Sequence, residues 1–74
     1  MHIAPVQPPI NEAAFAEALR LAYAAGTDAV AARQRRENRG PDWLPDDRLL
    51  AVDTWNRTMT LAGFTELGQI TLSP

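Results

Sequence analysis

The chain has 74 residues, 46 % of them hydrophobic, and a formal net charge of −2. A single domain of this size buries only about 60 % of its unfolded surface, and with no Cys it has neither a disulfide nor a thiolate metal site to hold a small core. All seven basic residues are Arg, while Ser73 and His2, the only Ser and His, sit at opposite ends, so a Ser/His constellation, which needs both groups held within about 3 Å by a rigid frame, is not expected.

These exclusions define the expectation of a protein that is not an enzyme and carries no metal and no cofactor. Thirteen of the hydrophobic residues are Ala, which bury little surface each, so the larger side chains must supply the core. Partner contacts or self-association are expected to add to its stability. No apolar run approaches the roughly 20 residues that span a bilayer. The start, Met1-His2-Ile3-Ala4-Pro5, lacks the basic flank and apolar stretch of a secretory signal. A cytoplasmic protein without a membrane partner is expected. The acidic balance also argues against general polyanion binding.

Residues 1–10 hold Pro5, Pro8 and Pro9 and read as an extended or polyproline-like arm. A helical domain is expected over 11–64. Asn11 suits the N-cap of its first helix, Glu12 the first turn, and Ile10 with Phe15 a hydrophobic staple. Phe15, Leu19 and Tyr23 recur every four residues beside Ala18 and Ala22, forming an apolar stripe. At Gly26 two courses are open. Gly26 can be a C′ residue with Thr27 capping a second helix to about residue 37, or the helix can run on, since Gly26, Val30 and Arg33 continue the stripe. The balance favours a break or kink at Gly26, although a Gly on the buried face would let another helix approach closely.

Asn38-Arg39-Gly40-Pro41 ends this segment. Pro45 at N1, followed by Asp46 and Asp47, begins a helix to about residue 62, with Gly63 at C′ and Phe64 packing on Met59 as in a Schellman cap. The tail over 65–74 has strand character through Gln69-Ile70-Thr71-Leu72, a strand that needs the Ile3/Val6 arm or another protein as its partner. The fold expected is all-α, a helical hairpin or three-helix domain. Its core should draw on Phe15, Leu19, Tyr23, Val30, Val52, Trp55, Met59 and Phe64.

Three features are candidates for function. The last helix carries two apolar faces: Val52, Trp55 and Met59 on one, Leu50, Thr54, Arg57 and Leu61 on another. The second face either meets a partner or lies under a first helix that wraps around it. Arg33, Arg35, Arg36 and Arg39 form a local basic cluster with a faint helix-turn-helix look. The plainer reading is a solvated helix end whose positive charges complement the dipole, and Arg33 and Arg36 also suit an acidic protein patch. Asp42, Asp46 and Asp47 surround Trp43 without the periodic ligand spacing of a calcium loop, and acidic residues in a first helical turn need no metal to explain them. Trp43 is either a lid on the core or an interface anchor.

The function expected is a small protein-binding module (an adaptor, inhibitor or accessory subunit, of a kind that phages and mobile elements encode) that masks a partner sterically or associates with itself. Its contacts would come from Leu50, Thr54, Arg57, Leu61, Trp43, Arg33 and Arg36. The alternatives are a DNA- or RNA-binding regulator using Arg33, Arg35, Arg36 and Arg39, and a structural subunit of a virion or multi-protein assembly.

Overall fold

The computed structural model describes residues 11–72 as two helices, α1 (Glu12–Arg36) and α2 (Pro45–Leu61), with an irregular tail after α2. The arm over 1–10, Ile10 of the staple and Ser73 lie outside the described residues. Of the two all-α architectures expected, the helical hairpin is found; among the described residues there is no third helix and no strand.

α1 begins where Asn11, with extended backbone at φ −71° and ψ 100°, accepts a hydrogen bond from the Ala14 N–H at 3.0 Å. The break or kink favoured at Gly26 is corrected: α1 is continuous through it. Thr27 does not cap a new helix, because its hydroxyl turns back to donate to the Tyr23 and Ala24 carbonyls, each at 3.1 Å. Gly26 itself is buried against α2, and a Cβ built there would stand 3.1 Å from the Ala51 carbonyl oxygen. The penalty of about 1 kcal/mol for Gly inside a helix is set against a close backbone approach that a Cβ would make tight.

Both helix ends close as Schellman caps. At the end of α1, Asn38 takes φ 53° while the Arg39 N–H donates to the Gln34 carbonyl at 2.9 Å and the Asn38 N–H to Arg35 at 3.2 Å. At the end of α2, Gly63 takes φ 97°, the Phe64 N–H donates to the Met59 carbonyl at 2.8 Å, and the Gly63 N–H to Thr60 at 3.0 Å. Phe64 packs beside Met59 as the spacing predicts, and meets Phe15 edge-on with ring centroids 5.0 Å apart.

The seam between the helices is built from small residues. Ala18, Ala22, Gly26 and Val30 are the buried positions of α1, each four residues after the last, facing the fully buried Met59 and Asp47 of α2. Phe15, Leu19, Trp55 and Phe64 flank this line, partly buried. Tyr23, expected in the core, is 67 % exposed, and Val52 is only half-buried. Where two backbones come this close the large side chains do not fit between them, so the central line falls to Ala and Gly and the aromatic rings splay to the sides.

The tail folds back on α2 instead of forming the expected strand. The Trp55 indole Nε1–H donates to the Gly68 carbonyl at 2.6 Å. The Asn56 side-chain amide pairs twice with Ile70, donating to its carbonyl at 2.9 Å and accepting its N–H at 2.8 Å. Asn56 thus supplies the hydrogen bonds a neighbouring strand would have supplied. Neither described helix is long and apolar enough to cross a membrane.

Gly26→Val is expected to lower the unfolding free energy by roughly 1–3 kcal/mol, because the added carbons must push Ala51 away. Urea unfolding followed by circular dichroism measures this. An unchanged or raised midpoint would show that the seam does not depend on this approach.

Candidate functional site

The hairpin leaves an apolar groove over the thinnest part of its seam. Ala22, Gly26, Ala51 and Val52 form the floor, a consequence of the small residues that let the helices meet. Tyr23 and Thr27 wall it on α1, Trp55 on α2. Trp43 from the connecting loop and Ile70 and Leu72 from the pinned tail complete the lining, and among the described residues Arg48 is its only charged member. The cavity holds about 310 Å³, at the small end of ligand-sized pockets. Four large side chains of its lining are solvent-exposed: Tyr23 (67 %), Trp43 (43 %), Ile70 (40 %) and Leu72 (48 %). Its surface is almost entirely carbon, a composition suited to burying apolar side chains.

At the loop end of the seam, beside the groove, the arginine cluster meets Asp46 and Asp47. Arg39 forms a two-point pair with Asp47, Nη1 to Oδ2 at 3.1 Å and Nη2 to Oδ1 at 2.8 Å. The same carboxylate accepts the Leu44 N–H at 2.8 Å, so it caps the first turn of α2 from position N3. Asp47 is fully buried, and its Oδ1 also lies 3.9 Å from Arg33 Nε. Arg33 reaches Glu37 at 3.4 Å and Asp46 at 4.0 Å, and Arg39 reaches Glu37 at 2.7 Å. The Arg39 hydrogen bonds, then that of the Leu44 N–H, hold the Asp47 carboxyl below its usual range against the opposing effect of burial. Arg39 likewise lowers Glu37.

This geometry divides the cluster. Arg33 and Arg39 are half-buried in intrachain pairs, whereas Arg35 and Arg36 are exposed and pair with no carboxylate among the described residues. Two arginines neutralising two phosphates would give a salt slope of only about −2, a weak hold on nucleic acid. Asp47 is a structural anion, Asp46 faces Arg33, and Asp42 contributes its carbonyl to Gln34 Nε2 at 3.4 Å. Among the described residues no group of three or more His, Cys, Asp or Glu is placed to hold a metal ion.

The face expected to carry Leu50, Thr54, Arg57 and Leu61 lies apart from the groove. Leu50 and Thr54 are half-buried, with the Thr54 hydroxyl donating to the Leu50 carbonyl at 2.8 Å, while Arg57 is exposed and Leu61 is 83 % exposed. Leu50 joins Arg33, Asp46, Leu49 and Asp53 around a shallower, more polar depression. Of the candidate residues only Trp43 lines the groove. Tyr23, Ile70 and Leu72 were absent from the sequence-derived set. Their signals were the tyrosine at the edge of the Phe15/Leu19 stripe and the two-residue spacing of Ile70 and Leu72, which turns both the same way in an extended tail.

Because the native Asp47 pKa is lowered, its stabilising effect is complete above the ordinary Asp value of about 3.9 and is lost as pH falls below that toward the native value. Asp47→Asn is therefore expected to lower the urea midpoint at pH 7 and to flatten the acid limb of the stability profile below the ordinary Asp range. A variant with an unaltered acid limb would remove Asp47 from that role. Comparison of the chain with protein-family models, with curated proteins and with solved structures finds no match.

Proposed function

We propose that the chain is a small non-enzymatic protein-binding module, an adaptor, inhibitor or accessory subunit, that acts sterically by covering a surface of its partner. The observation that supports this most is the groove with Tyr23, Trp43, Ile70 and Leu72 exposed around it. Large apolar side chains gathered at one concavity mark interaction sites, whereas single exposed ones do not. Trp and Tyr also concentrate binding energy where they can be desolvated. In this reading the groove is the docking surface, and a partner inserts apolar side chains between Trp43 and the tail. The Leu50, Thr54, Arg57 and Leu61 face, with Arg33 and Arg36 at the loop end, is the alternative docking surface, which position 61 separates from the groove in the experiment below.

Photo-crosslinking tests this reading in lysate of the cell that makes the protein. Benzoylphenylalanine at position 23 or 72 is expected to trap a discrete protein that the same group at position 61 does not trap. Trp43→Ala is expected to weaken that interaction by about 2 kcal/mol or more, roughly 30-fold. Equal trapping from position 61, or none from the groove, would overturn the assignment of the groove.

A further inference from the structure

Arg48 is placed against the preference of its own helix. It stands in the opening turn of α2, four residues after the N-cap Leu44, where the helix dipole favours an anion and opposes a cation. Asp46 and Asp47, just before it, obey that rule. Among the described residues the Arg48 side chain is exposed and meets no carboxylate, whereas Arg20, Arg33 and Arg39 are all paired. The groove lining that Arg48 joins holds no acidic residue. A basic segment entering the groove would meet an uncompensated like charge, and an acidic one an uncompensated opposite charge.

The spacing along α2 sets the register of such a segment. Val52 and Trp55 line the groove four and seven residues after Arg48, about 6 and 10.5 Å along the axis at 1.5 Å per residue. Those are the intervals at which a second helix presents one face, at i, i+4 and i+7. The floor of Ala22, Gly26 and Ala51 is made of small residues. The two described helices form a single layer, and a helix laid in the groove would complete a second. Helix-in-groove docking uses apolar anchors at these same intervals.

We infer that the groove takes an amphipathic helix of a partner protein, its apolar face on the Ala22, Gly26 and Ala51 floor and an Asp or Glu of its own against Arg48. Its apolar anchors stand one and two turns from that acidic residue. This names the chemistry of the partner within the docking role proposed above, and rests on that role. The carboxylate also fixes which way round the helix lies, because turning it end for end carries the charge away from Arg48 and onto carbon.

The probe is a displayed library of helical peptides with Ala and Gln on the outer face. Apolar residues vary at i+4, i+7 and i+11, and Asp, Glu, Gln, Lys and Arg vary at i. The library is sorted for binding to the full chain and, separately, to its Arg48→Gln and Arg48→Glu variants. Because Arg48 is exposed and unpaired, all three proteins should give the same helical circular dichroism. With the native chain, Asp or Glu at i is expected to be enriched about five-fold over Lys or Arg, the upper end for an exposed ion pair. That preference should vanish with Arg48→Gln and reverse with Arg48→Glu. Capture of the selected helices should fall with Trp43→Ala and not with Leu61→Asp. A library that yields no binder, shows no charge preference at i, or shows the same preference against all three proteins would overturn the inference. The sorting needs no cellular partner. Loss of the acidic preference while positions 23 and 72 still crosslink strikes this inference alone, and failed crosslinking with the preference intact strikes the docking role.

Discussion

The hairpin depends on one close approach, Gly26 against the backbone of Ala51. Bringing two helices this near leaves room only for Ala18, Ala22 and Gly26 along the middle of α1. Larger side chains pack toward the ends of this line, as the buried Val30, Asp47 and Met59 do, or are displaced outward, and the displaced residues acquire the other roles. Phe15, Leu19 and Phe64 gather around Met59 at one end. Tyr23 and Trp55 become the walls of a groove whose floor is the seam itself. A larger residue at position 26 would part the helices and fill the groove from below, so packing and candidate site have a common origin.

Polar groups secure what so small a core leaves loose. At the loop end the buried Asp47 carboxylate joins Arg39, the start of α2 and, more distantly, Arg33. A buried carboxylate is tolerable only because its oxygens accept hydrogen bonds from a charged fork and a backbone N–H. At the other end, side chains of α2 hold the tail: Trp55 takes Gly68 and Asn56 takes Ile70. Gln69 adds bonds to the Thr60 hydroxyl at 2.8 Å and the Phe64 carbonyl at 2.9 Å. Gly68 fits there because its φ of 81° and its contact with Met59 and Phe15 leave no place for a Cβ.

The local rules were readable in the residues themselves. Asn11 as a cap, Pro45 at N1, Gly63 at C′ and the Phe64–Met59 contact each depend on neighbours within a few positions, where spacing carries the information. What the spacing did not disclose was tertiary. Gly26 looks like a terminator or a seam according to what lies across from it, and Ala51 is a quarter of a hundred residues away. Tyr23 follows the rhythm of Phe15 and Leu19, but the helix it would pack against is already in contact with Ala22 and Gly26. The arginine cluster and the acidic trio were visible as separate charge groups. Their mutual neutralisation through Arg39 and Asp47 required the loop to bring them together. The groove was hidden for the same reason, since its lining comes from α1, the loop, α2 and the tail.

Trp55 has two duties, as donor to the Gly68 carbonyl and as part of the groove wall. Ile70 and Leu72, carried by the tail that this bond secures, line the same cavity. Any occupant that touches them gains those contacts only while the tail is docked, so it must hold the tail in place as strongly as the docked tail improves its own binding. That reciprocity is thermodynamic and needs no change of shape. It makes the amide protons of residues 69–71 reporters of groove occupancy, exchanging more slowly when the groove is filled and faster when it is empty.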